Sequence, residues 1–281
     1  MNMKKISALI GSVVLSATII SAHADDNESA NIQAEGVKLI QSLTNGKAKI
    51  SDSFKTNVGL DGYVIEPVEA GGKKQVVFTQ GGQYLIIGNV VTAEGENLTE
   101  KYTNKLITSQ VAEESYQAIG KLNWIAEGSD KAKHKLYVIL DPNCIYCHLF
   151  YKEVNKLDLI KNGDLQVRWL PVGFLKPSSA GMAAAMFNSK SPVQAIVKDE
   201  NAFNDKSEEG GLKPLDKSST NENVIAAFAK VNANTKFFSK YGFGGTPTLI
   251  YKQADGEYGF IPGFLKGDQL TNLVNSLSAT W

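Results

Sequence analysis

Cysteine is nearly absent: among 281 residues there are only two, Cys144 and Cys147. Exported domains ordinarily use cysteines as widely spaced staples, and no such staple is possible here. A bridge between Cys144 and Cys147 closes a tiny loop, and chain-entropy stabilisation shrinks with loop length. A pair of little use as a staple points to chemistry instead. Histidine is scarce as well. Beyond His23 there are only His134 and His148, so a closed tetrahedral zinc site would need both of them with both cysteines, or a carboxylate. No charge of one sign dominates: 29 basic residues face 29 acidic ones, with no Lys/Arg block. That balance argues against nucleic acid or an anionic membrane as the main partner. After residue 20 no apolar run is long enough to span a bilayer, which takes about 20 residues. Internal repeats and low-complexity tracts are lacking too.

What is present begins with a leader. Lys4 and Lys5 precede an apolar stretch over residues 6–20, and Ala22-His23-Ala24 forms an A-x-A pattern before Asp25. A positive start, a short apolar middle and a small-residue exit predict a secretory signal peptide over residues 1–24, cleaved after Ala24. The competing reading is a membrane anchor, for which the apolar run is short. Loss of Lys4 and Lys5 with no acid leaves a mature net charge near −2.

Residues 31–43 carry a helical stripe of Val37, Leu39, Ile40 and Leu43, which Asn45-Gly46 ends. Strand patterns follow at 62–68, 75–78 and 83–91, with Gly71-Gly72 and Gly81-Gly82 as turns. A unit of roughly 80 residues is marginal as a lone core, and an exposed strand edge is a natural surface for a second copy. Residues 101–124 read as a helical connector. The run Lys-Leu-Tyr-Val-Ile-Leu at 135–140 suits a buried strand, and 165–172 a second one, with a helix from Cys144 to about residue 157 between them. Residues 176–241 show helical character only, with Ser191-Pro192 as a helix start and helices expected at 223–229 and 232–241. Residues 203–219 read as an exposed loop. Two strands, 248–252 and 256–261, and a helix at 270–277 close the chain.

Cys144 thus opens a helix after a buried strand. Orphan N–H groups and the helix dipole favour a thiolate there, and the thiolate is the attacking species in exchange. Cys147 lies one helical turn on, placed to resolve a mixed disulfide formed at Cys144. Asp141, at the strand end, either opposes that thiolate or satisfies turn N–H groups. A second element is Gly244-Gly245-Thr246-Pro247-Thr248. Thr246-Pro247 is a candidate cis bond, with Thr246 backbone groups open to an extended substrate strand.

Strand, Asp-Pro-x-Cys-x-x-Cys, helical insertion and Thr-Pro before a strand together resemble the thioredoxin-fold bacterial disulfide isomerases of the DsbC/DsbG type. The resemblance covers essentially the whole mature chain. It extends to residues 83–90, Gly95-Glu96-Asn97-Leu98-Thr99 and the linker helix. It leans to the DsbG branch through residues 172–179 and Ala183-Ala184-Ala185. The second, structural disulfide usual in DsbC-type proteins is missing. The resemblance implies a signal peptide (1–24) and a cystatin-like α+β dimerisation domain (25–104). A linker helix (105–127) and an α/β thioredoxin-fold domain (128–281) with its helical insertion (176–241) would follow. It implies a V-shaped periplasmic homodimer with Cys144 as nucleophile and Cys147 as resolving thiol. Thr246, Pro247, Ile145 and Tyr146 would contact substrate. No cofactor or metal is implied. The implied partners are a DsbD-like membrane reductase and misoxidised or unfolded periplasmic proteins. The implied activities are disulfide isomerisation, reduction of sulfenylated cysteines and some holdase action. Ile145-Tyr146 departs from the Pro-Tyr or Gly-Tyr common in the family, which leaves the redox balance open.

Other readings compete at the same residues. Cys144-Ile145-Tyr146-Cys147-His148 is also a C-x-x-C-H haem-attachment signature. A monomeric DsbA-like oxidase shares the motif without the first domain. A thiol-independent chaperone would keep its activity without Cys144. Phe150 and Tyr151 read as half core and half rim, and Trp124, Trp169 and Trp281 as packing residues.

Overall fold

The computed structural model describes residues 23–69 and 72–280. The predicted leader falls almost entirely outside the described residues, as do Gly71 of the expected Gly71-Gly72 turn and Trp281. Among the described residues, no helix is long and apolar enough to cross a membrane. The chain forms two compact units. One runs to Ile65 and includes Val77–Ile87; the other comprises Glu66–Val76 and Gly88–Trp281.

In the first unit, helix α1 (His23–Leu43) starts earlier than the expected residue 31. It stops where expected, because Asn45 and Gly46 take φ of 50° and 72°. Strands β1 (Ala48–Lys55), β2 (Asp61–Pro67), β3 (Gln75–Gln80) and β4 (Tyr84–Ile86) form one sheet in sequence order. Strand β1 lies in the stretch from Lys47 on where the pattern turns to short strands, outside the three candidates, with Ala48, Ile50 and Phe54 alternating with polar residues. The expected strand at 83–91 shrinks to β4, since Gly88 leaves the extended region at φ 131°. Ile40, Tyr63, Ile65 and Val77 make the core of this unit.

In the second unit, α2 (Leu98–Thr103), a π-helical turn (Asn104–Thr108) and α3 (Ser109–Ile119) run on without a break. The run begins before the expected residue 101 because the Asn97 side chain caps it, accepting the Glu100 N–H at 3.1 Å. Strands β5 (Ile125–Glu127), β6 (His134–Leu140), β7 (Leu165–Pro171), β8 (Thr248–Lys252) and β9 (Tyr258–Pro262) form a sheet ordered β5-β7-β6-β8-β9. Strands β6 and β7 are parallel and joined through α4 (Ile145–Lys156); β8 and β9 are antiparallel. The insertion holds α5 (Ser179–Asn188), α6 (Pro192–Asn201) and α7 (Glu222–Tyr241), and α8 (Asp268–Ser276) ends the unit. The two helices expected at 223–229 and 232–241 are one, α7. Asn234 in its middle points inward and donates to the Asn123 and Pro171 carbonyls at 2.8 and 3.0 Å.

The continuous apolar run of β6 reflects burial of both sheet faces. Leu136, Val138 and Leu140 pack with Phe150, Val154 and Trp169 on one side, while Tyr137 and Ile139 pack with Ile119, Phe237 and Phe243 on the other. Phe150 and Tyr151 are therefore core residues rather than half rim, because their face of α4 lies on the sheet. Trp169 is buried, and Trp124 lies 4.4 Å from the Arg168 guanidinium. Phe150 meets Trp169 edge to face at 6.1 Å. Phe150→Ala is expected to lower stability by about 3–5 kcal/mol, the range for a large buried ring, measured by denaturant unfolding of the reduced protein.

Candidate active site

Strand β6 ends at Leu140, and Asp141, Pro142 and Asn143 turn the chain into α4. The turn is held by the buried Asp141 carboxylate. One oxygen accepts the Asn143 N–H at 3.0 Å; the other accepts the Phe174 and Leu175 N–H groups at 2.9 and 3.1 Å. Of the two roles open to Asp141, this is the one that satisfies turn N–H groups. Asn143 is also buried, and its amide donates to the Ser178 and Ser179 hydroxyls at 3.0 and 2.9 Å.

Cys144 is the N-cap of α4, in extended conformation, and its sulfur accepts the Cys147 N–H at 3.4 Å. Both cysteines are free thiols and both are buried. Their acidities nevertheless diverge. The hydrogen bond from Cys147 lowers Cys144 to about 7, against the opposing effect of burial, with help from the Thr246 side chain and the Tyr146 and Cys147 backbone. Burial pushes Cys147 well up, and its neighbour Cys144 pushes it further. One thiol is thus primed to ionise near neutral pH while the other holds its proton.

Thr246-Pro247 faces this pair, and its peptide bond is cis. The Cys144 thiol donates to the Thr246 carbonyl at 3.1 Å. In this dithiol state one acceptor position of the Thr246 carbonyl is taken by the thiol. The buried Thr246 hydroxyl is otherwise unpartnered and favours the thiolate form of both cysteines. Pro247 accepts the Gly263 N–H at 2.7 Å, tying the loop to the segment after β9. Ile145 is half-buried. Tyr146 is exposed and stacks on Phe264 at 6.0 Å, with Leu149, Phe174 and Leu175 also exposed.

His148 is directed elsewhere. It is buried, its Nδ1 lies 2.8 Å from Glu200 and its ring stacks on Phe203 at 4.4 Å. A haem held through C-x-x-C-H would need this imidazole as an axial ligand; here Phe203 covers the ring face and Asp205 lies 3.6 Å from Nε2. For zinc, His134 opens β6 while the cysteines follow its far end, about 20 Å away at the rise of a strand. Among the described residues no three His, Cys, Asp or Glu side chains gather to hold a metal ion.

Asn143, Asp199 and Glu200 belong to this site but were not singled out in the sequence. Asp199 and Glu200 are buried on α6, and burial raises both, Asp199 to about 7. Nothing in the spacing links them to a motif some fifty residues earlier, and only the folded insertion brings them near it.

Lowering of Cys144 gives a direct expectation. Alkylation at Cys144 should rise about tenfold per pH unit below pH 7 and level off above it, followed with the ultraviolet thiolate band. The sign follows from the thiolate being the reactive form. Thr246→Val should slow neutral-pH alkylation about three- to tenfold by weakening support for that thiolate.

The thioredoxin-like domain family model matches residues 125–278, more than half of the chain. The chain is similar to the thiol:disulfide interchange protein DsbG of Pseudomonas aeruginosa, 29% identical over 228 residues, 81% of this chain and 84% of that protein. It is similar to DsbG of Escherichia coli K12 at 29% over 203 residues, 72% of this chain and 76% of that one. Among solved structures, the thiol-disulfide exchange protein alpha-DsbA2 from Wolbachia pipientis is 17% identical, with a TM-score of 0.45. The match covers 60% of this chain and 95% of that one. The chain belongs to the thioredoxin-like domain family, and its similarity to the DsbG-type thiol:disulfide interchange proteins runs over most of its length.

Proposed function

We propose that this protein is a periplasmic thiol:disulfide oxidoreductase that reduces or isomerises protein disulfides, with Cys144 attacking and Cys147 resolving. The observation that carries the reading is the opposed tuning of the pair at the start of α4: Cys144 lowered to about 7 and Cys147 raised. The Cys144 thiolate attacks one sulfur of a client disulfide. A new S–S bond forms as the client bond breaks, and the departing client sulfur takes up a proton. Cys147 then loses its proton and attacks Cys144, releasing the second client thiol. The client gains two electrons and the protein ends as a Cys144/Cys147 disulfide. In isomerisation a client thiol resolves the mixed disulfide instead, and the pair stays reduced. A sulfenylated client cysteine is attacked at sulfur in the same way, with its hydroxyl leaving as water.

Thr246 and Pro247 act as the loop that receives the client backbone, and Ile145 and Tyr146 form the rim beside the attacking sulfur. The exposed Tyr146, Leu149, Phe174 and Leu175 suit apolar client segments. Residues 25–104 act as the cystatin-like dimerisation domain of a homodimer after cleavage of the leader at Ala24. A DsbD-like membrane reductase returns the pair to the dithiol state. The readings as a monomeric oxidase, a haem protein and a thiol-independent chaperone have less support, since the DsbG relatives span most of the chain.

The test uses a scrambled disulfide client. Cys144→Ser should abolish both reduction and isomerisation. Cys147→Ser should accumulate a client mixed disulfide stable to alkylation and cleaved by reductant. Undiminished activity of Cys144→Ser would overturn the proposal.

A further inference from the structure

The Cys-Ile-Tyr-Cys tetrapeptide is flanked by Asn143 and His148, and one stretch of the insertion, residues 199–212, grips both. On the side after the motif, Glu200 meets His148 Nδ1 at 2.8 Å, Phe203 stacks on the imidazole with its plane within 8°, and Asp205 lies 3.6 Å from Nε2. On the side before it, the Gly210 N–H donates to the Asn143 side-chain oxygen at 3.2 Å. The stretch is closed on itself. Asp199 accepts the Leu212 N–H on its carboxylate and the Gly211 N–H on its carbonyl, both at 3.0 Å. Asn204 and Glu209 exchange both backbone hydrogen bonds, and Lys176 donates to the Ser207 carbonyl.

Gly210 makes the fit tight. A Cβ there would lie 2.5 and 2.6 Å from the Asp199 carboxyl oxygens and 2.6 Å from the Pro142 carbonyl. All of these are below any contact a real Cβ makes, and Pro142 belongs to the turn that delivers Cys144. The loop expected from composition to be merely exposed is therefore docked, at its Gly210 end, against the redox turn.

We propose that residues 199–212 are a positioning clamp for the Cys144/Cys147 pair, with Glu200 acting through His148 and Gly210 through Asn143. The clamp fixes where α4 begins. The Cys147 N–H that supports the Cys144 sulfur is in the first turn of that helix, one residue before His148. Shifting either flank changes that N–H···S contact, and with it the balance between the reduced and oxidised pair. This inference rests on the reading of Cys144 and Cys147 as an exchange couple.

The test is the equilibrium constant of the pair against a glutathione buffer, read by alkylation, with thermal unfolding of the same samples. The proteins are wild type, Glu200→Gln, Gly210→Ala and Phe203→Ala. The last removes only a half-buried stacking ring and leaves the fold little at risk. Each variant that folds should shift the constant by about threefold or more, with a matching change in the pH dependence of Cys144 alkylation. Variants that unfold at lower temperature but keep the wild-type constant and alkylation profile would make the stretch a structural element only and overturn the proposal. Phe203→Ala alone decides it if the other two do not fold. A wild-type protein with no reversible dithiol/disulfide couple would instead overturn the underlying exchange reading, whatever the variants do.

Discussion

Much of this site depends on one hydrogen bond, from the Cys147 N–H to the Cys144 sulfur across the first turn of α4. A helix N-terminus offers N–H groups that have no partner within the helix. Here one of them is given to a sulfur rather than to the oxygen of a Ser or Asp cap. The same contact makes the two cysteines unlike. Held at this distance, Cys144 is pulled toward ionisation by the Cys147 side chain first, with the Thr246 side chain and this N–H adding to it, whereas burial in the core keeps the proton on Cys147. A thiolate at Cys144 opposes a thiolate at Cys147, so under the proposed reaction the second sulfur attacks after the first is bonded. Order of reaction is thereby built into a single helical turn.

The turn before the helix explains why this contact holds. A buried Asp beside a sulfur that must ionise looks adverse. The Asp141 carboxylate is, however, saturated by three backbone N–H groups, two of them from the segment that follows β7. Hydrogen bonds of this kind to a carboxylate are stronger than neutral ones, and they tie the β6–α4 turn to the start of the insertion. Support for the thiolate then comes from the Cys147 side chain first, with the Thr246 side chain and the Cys147 and Tyr146 backbone adding to it, in surroundings where a hydrogen bond is stronger than in water.

Legibility in the sequence followed the range of the interactions. The β6 run, the helix opened by Cys144 and the Thr246-Pro247 element could all be read locally, since apolar continuity and a helix-start cysteine are short-range signals. The strand expected at 83–91 is shorter in the structure, because apolar residues at Ile87 and Val91 continue past Gly88, whose φ leaves the extended region. The two helices expected at 223–229 and 232–241 are joined in the structure as α7. Asn234 sits inside that helix with its amide N–H groups given to the Asn123 and Pro171 carbonyls, contacts across 111 and 63 residues that local patterning does not carry. Asp199, Glu200 and Asn143 were invisible because each contributes through contacts over long sequence distances, and none carries a spacing that marks it.

The insertion is therefore more than a covering for the sheet. A two-residue spacer between cysteines leaves α4 with little of its own to resist fraying, since its cap is a sulfur rather than a strong oxygen acceptor. Something outside the helix has to hold its first turn in register. Helix α5 does so through Ser178 and Ser179 at Asn143, and the end of α6 does so through Glu200 at His148. Both are built from the segment between β7 and β8, which also leads to the Thr246-Pro247 loop. One stretch of chain thus sets both walls around the Cys144 sulfur. A change in that stretch acts on the redox pair without touching either cysteine, which is a physical reason for related proteins with the same C-x-x-C to differ in how readily they give up electrons.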